Sequence, residues 1–254
     1  MNDILILIGR SIRNALRQPA AILPNIGISV FFLFVYNAGL SSVAKLPGFQ
    51  GSYLGFILPV SIVSAAVGGA GLAGQSLIKD IDNGYFTKLL LTPTRRLAVI
   101  WGPMIASAII LTAQVVLVMF IALLMGLKVA SGPGGFLLVV LLAFLWGMAF
   151  AGYAAFMALK TKNAAAAQAA TFAFFPLIFL SYTFVPKEYV TTGWLKVAAA
   201  INPTTYVFDS MRSLLNTGWS ASSLAVGFAV TFGFATVTGI MALWAARGAT
   251  KMTS

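Results

Sequence analysis

Six long apolar segments constrain what this chain can fold into. A helix needs roughly 20 mostly apolar residues to cross a bilayer. Segments of this kind occupy residues 21–40, 54–78, 97–127, 135–159, 164–185 and 222–246. They are too long and too evenly apolar for barrel strands, and backbone groups in lipid must pair within a helix. The sequence therefore predicts an all-α membrane protein whose residues 21–254 form a domain of six transmembrane helices.

The composition supports an integral membrane protein. Of the 254 residues, 60% are hydrophobic and 8% are charged, whereas about a quarter of the residues in soluble domains are charged. Cysteine and histidine are both absent, which excludes disulfides, thiol nucleophiles and imidazole metal sites. The net charge of +11 is explained by basic loops that face anionic lipid, so we expect no nucleic-acid partner.

The distribution of lysine and arginine predicts the orientation in the cell membrane. With both termini inside, the cytoplasmic set has eleven members: Arg10, Arg13, Arg17, Lys79, Lys88, Arg95, Arg96, Lys160, Lys162, Arg247 and Lys251. The outer set has five members: Lys45, Lys128, Lys187, Lys196 and Arg212. Basic residues concentrate on the cytoplasmic side, so both termini are expected there. A cleavable signal peptide ending near Ser42-Val43-Ala44 is the alternative, and it would leave five spans.

The first 20 residues predict an amphipathic helix that lies in the membrane interface. Over residues 3–18 one helical face carries Arg10, Arg13, Asn14 and Arg17. The opposite face carries Leu5, Ile8, Ile12, Ala15 and Leu16. This facing favours an interfacial helix over an unstructured basic tail.

Small residues mark the second predicted span. Gly68, Gly71 and Gly74 recur every three residues, and small side chains let helix backbones approach closely. Packing within one subunit and a role in a pathway or a dimer both fit this pattern.

The sequence offers no energy source of its own. It contains neither a phosphate-binding G-x-x-x-x-G-K-[ST] motif nor an H-E-x-x-H motif. The centres of the six spans carry no Asp, Glu, Lys, Arg or His, although ion-coupled transporters usually carry such residues. Any driving force must come from another polypeptide, unless the protein is passive.

The predicted excursion between spans two and three is the most charged part of the chain. Residues 79–96 hold six of the 21 charged residues. Asn83-Gly84 predicts a turn that ends span two, and Thr92-Pro93 predicts the end of a short helix. Tyr85, Phe86, Leu89 and Leu90 would share one side of that helix. We interpret it as a cytoplasmic helix that docks into a groove on another protein.

Two motifs resemble those of ABC-2-type exporter permeases. Asn83-Gly84, followed by Lys88-Leu89-Leu90-Leu91-Thr92-Pro93-Thr94-Arg95, is similar to the family segment G-T-x-E-x-L-L-x-T-P-x-x-R. Tyr85 and Thr87 stand where the family often has threonine and glutamate. The second motif follows span five, where residues 184–186, 193–195, 202–206 and 209–212 are similar to F-x-P…W-L…N-P-x-T-Y-x-x-D-x-x-R. Short outer re-entrant helices are expected there, with Asn202 capping the second, Pro203 at its first position, and Asp209 paired with Arg212.

The resemblance implies a permease subunit that works with separate ATPase subunits. ATP would be bound by those partners, so no cofactor is expected in this chain. The coupling helix that docks on the ATPase would comprise Asp80, Asp82, Gly84, Tyr85, Phe86, Lys88, Leu89, Leu90 and Arg95. The outer motif would be structural and comprise Pro186, Trp194, Asn202, Pro203, Tyr206, Asp209 and Arg212. A second permease copy, as a homodimer, and membrane lipids are the other expected partners.

Among family members, the outer block looks most like daunorubicin-type permeases, which implies export of a lipophilic or amphipathic drug- or antibiotic-like substrate. Export of lipid-linked polysaccharide or teichoic acid is the nearest alternative. A secondary transporter, a channel and an intramembrane enzyme are more distant, because the spans lack ionisable and catalytic residues.

Overall fold

A computed structural model describes residues 2–47, 49–91, 96–184 and 186–250. The described residues form helices and no strand. The helices are α1 (Asn2–Leu16), α2 (Pro19–Leu40), α3 (Tyr53–Gly69), α4 (Gly71–Asp82), α5 (Tyr85–Leu91), α6 (Arg96–Leu124), α7 (Gly132–Thr161), α8 (Ala164–Phe172), α9 (Phe175–Phe179), α10 (Gly193–Ile201), α11 (Pro203–Arg212) and α12 (Ala221–Thr250). Short helical turns of other types lie at Ser41–Lys45, Lys187–Tyr189 and Ser213–Thr217.

Five stretches of the described chain are long and apolar enough to cross a membrane. They are Ile22–Lys45, Tyr53–Asp82, Leu97–Leu124, Gly132–Thr161 and Ala221–Arg247. These stretches correspond to the first, second, third, fourth and sixth predicted spans. The all-α membrane class is therefore confirmed, whereas the count of six spans is not.

The predicted fifth span is interrupted. Helix α8 ends at Phe172 and α9 begins at Phe175, and the apolar stretch Ala164–Phe179 is shorter than the five candidate spans. Pro176 explains the break, because its nitrogen carries no hydrogen and its ring clashes with the carbonyl four residues earlier in a continuous helix. Such a stretch of helix would be about 24 Å long at 1.5 Å per residue, less than the roughly 30 Å hydrocarbon core.

The second span is also divided, at Ala70 between α3 and α4. Two side chains from other helices hold carbonyl groups at this break. The Ser107 hydroxyl of α6 donates to the Gly69 carbonyl at 3.4 Å, and the Gln168 amide of α8 donates to the Gly68 carbonyl at 3.3 Å. A broken helix is stable in lipid only where neighbours satisfy its freed backbone groups.

The glycines of this span pack inside the subunit. A Cβ atom at Gly74 would lie 3.1 Å from the Ala154 carbonyl oxygen of α7, and one at Gly71 would collide with the Gln168 side chain. Both positions are thus occupied by neighbours within the chain. This geometry favours the packing interpretation of the small-residue pattern at these two positions.

Helix α7 lies at the centre of the bundle and packs against α12, α6 and α4. Its buried Trp146 and Phe150 contact the ring of Phe234 in α12, with centroid distances of 5.5 and 5.7 Å. A second apolar cluster includes Leu7 of α1 and Phe86 of α5, together with residues of α6. The amphipathic N-terminal helix and the short α5 are therefore both fastened to the same end of the bundle.

Candidate functional site

The turn between α4 and α5 forms as the sequence predicts. Helix α4 ends at Asp82, α5 begins at Tyr85, and Gly84 has a φ of +66°. An L-residue rarely adopts this left-handed conformation, whereas glycine adopts it freely. The Asn83-Gly84 pair thereby folds α5 back from the end of the second span.

A partly buried ion pair joins α1 to α4 beside this turn. The guanidinium of Arg10 donates to both carboxylate oxygens of Asp80, at 2.7 and 2.6 Å. Asp80 is buried, and Arg10 lies over the Tyr85 ring with its Cζ atom 3.9 Å from the centroid. The hydrogen bond to Asp80 raises the pKa of Arg10, although desolvation opposes the shift. Bidentate pairing fixes orientation as well as distance, so α1, α4 and α5 form one connected unit.

The predicted docking residues divide into an inner and an outer set. Phe86 is buried, and Leu89 packs against the second apolar cluster of the protein itself. Lys88 and Asp82 are exposed, and the Leu91 side chain is 83% exposed. Phe86 and Leu89 thus help to attach α5 to this cluster, and docking of α5 on a partner stays a prediction. The side chain of Leu90 and all of Arg95 lie outside the described residues.

The outer motif holds the end of the interrupted fifth span. Asn202 caps α11 as predicted, since its side-chain oxygen accepts from the Thr204 N–H at 3.0 Å and Pro203 follows as the first helical residue. Its amide nitrogen donates to the carbonyls of Leu177 and Leu180 at 2.6 and 2.8 Å. The last carbonyls of a helix have no partner within it. Asn202 therefore begins one helix and satisfies the end of another.

Arg212 also binds the segment that follows α9. The predicted ion pair between Arg212 and Asp209 is wrong. The buried guanidinium donates to the carbonyls of Phe56, Tyr182 and Thr183 at 2.9, 2.5 and 2.9 Å. Its Cζ atom lies 3.6 Å from the centroid of the Phe56 ring. No ion pair joins it to Asp209 within the described chain. Five fixed N–H donors suit an arginine for bridging several carbonyls, and here they join α11 to α3 and to the chain after α9.

Burial shifts the pKa values of both charged residues of α11. Desolvation lowers the pKa of Arg212 to about 9, although the nearby negative charge of Asp209 opposes the change. Desolvation raises the pKa of Asp209, and the charge of Arg212 opposes that shift. The two groups thus influence each other through space without forming a salt bridge.

The remaining outer residues lie nearer the surface. Trp194 is 65% exposed, and the Tyr206 hydroxyl donates to the Ala200 carbonyl at 2.6 Å. Pro186 precedes the short turn at Lys187–Tyr189. The structural role expected of Pro186, Trp194 and Tyr206 stays a prediction.

Local sequence patterns did not identify three of the residues that make these long-range contacts. Arg10 was assigned only to the basic face of α1, because nothing near it in sequence indicates a partner 70 residues away. Gln168 and Ser107, which hold the broken second span, were likewise missed. Pro176 was a readable signal, since proline inside an apolar run indicates a break.

Comparison of the sequence with known proteins shows the family of the chain. The model of the family described as "ABC-2 type transporter" matches residues 2–216. A protein of Cyanophora paradoxa named "Putative transport permease ycf38" is 22% identical over 228 residues, which cover 88% of this chain and 78% of that protein. The family match includes α1, α4 and α5. The chain belongs to the ABC-2 type transporter family, whose membrane domain covers most of its length.

Proposed function

We propose that this permease is the membrane subunit of an ATP-driven exporter in the cytoplasmic membrane. Its cargo would be lipophilic or amphipathic, like a drug or an antibiotic, and a separate ATPase would supply the energy. Family members normally work with an ATPase partner, and the sequence contains no phosphate-binding loop of its own.

The geometry of α5 carries this proposal. The helix is held from inside by Phe86 and Leu89, while Lys88 and Leu91 project outward. A rigid, externally exposed knob transmits a displacement better than a flexible loop, because its own packing resists deformation. The Arg10–Asp80 pair would pass such a displacement to α1 and α4.

The proposed complex contains two copies of the permease. Helix α2 supports this arrangement, because it exposes Leu23, Phe31, Phe34 and Val35. A lipid tail or a second copy could cover that apolar surface. In the proposed orientation both termini are cytoplasmic, and α10 and α11 lie at the outer leaflet.

The test is a pull-down of the cognate ATPase with a permease that carries Lys88→Glu and Leu91→Asp. Both side chains are exposed, so the fold should survive, whereas a docking interface should lose at least about tenfold in affinity. Leu124→Asp is the matched control, since Leu124 is 89% exposed at the opposite end of α6. Equal ATPase binding by the double variant, the control and the unaltered chain would contradict docking through α5.

A further inference from the structure

A cavity of about 460 Å³, lined by polar and apolar side chains, opens between α1, α4 and α6. Volumes of this size are typical of small-molecule sites. Its ionisable lining residues are Arg10, Lys79, Asp80 and Asp82, two basic and two acidic, and its uncharged polar residues include Asn14 and Gln75. The formal charges cancel, so the lining suits an uncharged polar group better than an ion.

The inner end of this cavity reaches the break in the second span. Ser107 lines the cavity and also donates to the Gly69 carbonyl. Gln168 holds the Gly68 carbonyl from the other side and occupies the space beside Gly71. Polar side chains therefore extend from the cavity into the bundle, where they donate hydrogen bonds to backbone carbonyls at the break.

Unsatisfied polar groups lie further along the same two helices. Both amide atoms of Gln114 and the hydroxyls of Ser61 and Ser64 are buried, with no hydrogen-bond partner within the described chain. Ser61, Ser64 and Gly68 share one face of α3, and Ser107 and Gln114 share one face of α6, because their spacings are three, four and seven residues. A Cβ atom at Gly68 would lie 2.6 Å from the side-chain oxygen of Asn25, so this face of α3 is directed towards α2.

The register of α3 against α6 places these groups at the same depth. Ser107 meets Gly69, and Leu127, just beyond the end of α6, approaches Gly55 near the start of α3. The helices are therefore antiparallel, and Gln114 falls level with Ser64, about 10 Å along α6 from Ser107 at 1.5 Å per residue. A buried polar group without a partner is rare in folded proteins and calls for a specific explanation.

We propose that the seam of α3 with α2 and α6, defined by Ser61, Ser64, Ser107 and Gln114, binds the uncharged, hydrogen-bonding headgroup of an amphipathic molecule that enters from the cavity. Gln114 offers a donor and an acceptor, and each serine hydroxyl offers both. The residues named along the seam beyond the cavity carry no charge, so an ionic headgroup would have no counter-charge there. The inference deepens the proposed transport function by assigning its cargo an uncharged polar headgroup.

The test uses the absence of native cysteine. Single variants Ser107→Cys and Ser64→Cys replace oxygen by sulfur with little change in shape. In nanodiscs, a neutral, water-soluble methanethiosulfonate should modify both at least about tenfold faster than matched controls, because only a hydrated thiol ionises and reacts. The controls are Leu117→Cys on the exposed surface of α6 and Val63→Cys in the apolar core. Rates equal to those of the controls would overturn the proposal.

Protection by probes with one tail and different headgroups identifies the ligand chemistry. Dodecyl glucoside should protect Ser64→Cys from labelling, whereas dodecyltrimethylammonium and dodecyl phosphate should not. Equal protection by all three would show that only the tail binds and would overturn the headgroup assignment. Neither the labelling nor the protection experiment contains an ATPase. A negative result in them would not contradict docking of an ATPase through α5, and a negative pull-down would not contradict headgroup binding in the seam.

Discussion

At the scale of single residues, the Arg10–Asp80 pair is the contact most open to measurement. Removing either partner should lower stability by about 2 kcal/mol, since hydrogen bonds to charged groups contribute about 1.5–3 kcal/mol and Arg10 is partly exposed. That loss corresponds to a fall of about 4–8 °C in the Tm of the purified protein. Thermal unfolding of Arg10→Ala, Asp80→Ala and the double variant would measure it.

The double variant should unfold close to the less stable single variant, because both substitutions remove the same interaction. Arg13→Ala is the control, since Arg13 is exposed on the same helix and should leave the Tm unchanged. Additive losses in the double variant would show that the two side chains act independently.

At the scale of elements, the turn between α4 and α5 depends on the backbone of Gly84. Gly84→Ala should cost about 1 kcal/mol, because alanine is strained at a φ of +66°. A Cβ atom there meets nothing within 4 Å, so the whole loss comes from the backbone. Thermal unfolding should show a fall of about 2–4 °C, and a smaller fall for Gly84→Asn, which tolerates this conformation better.

Gly27→Ala is the matched control for this turn. Gly27 lies within α2, a Cβ atom there also meets nothing within 4 Å, and alanine favours helix. The control should therefore unfold at the same temperature or higher. If Gly84→Ala behaved as the control does, the turn would not need its left-handed residue.

At the scale of the whole molecule, the permease should have no ATPase activity when purified alone. Co-expression with the cognate ATPase should yield a complex of two permeases and two ATPases that hydrolyses ATP. Light scattering would give the mass of the complex, and a phosphate-release assay would give its activity. The isolated chain lacks a nucleotide-binding motif, so hydrolysis that persists after contaminating ATPases are removed would contradict the assignment.

The sequence by itself determined the membrane class, most of the helices, the Gly84 turn and the Asn202 cap. These features depend on hydropathy over some 20 residues or on side chains a few positions apart, so local patterns reveal them. Only the tertiary structure decided that Arg10 binds Asp80, that Arg212 binds three carbonyls in place of Asp209, and that Phe86 is buried in the second apolar cluster. Each of these depends on residues distant in the chain, and a local pattern shows which face is polar or apolar but not what that face meets.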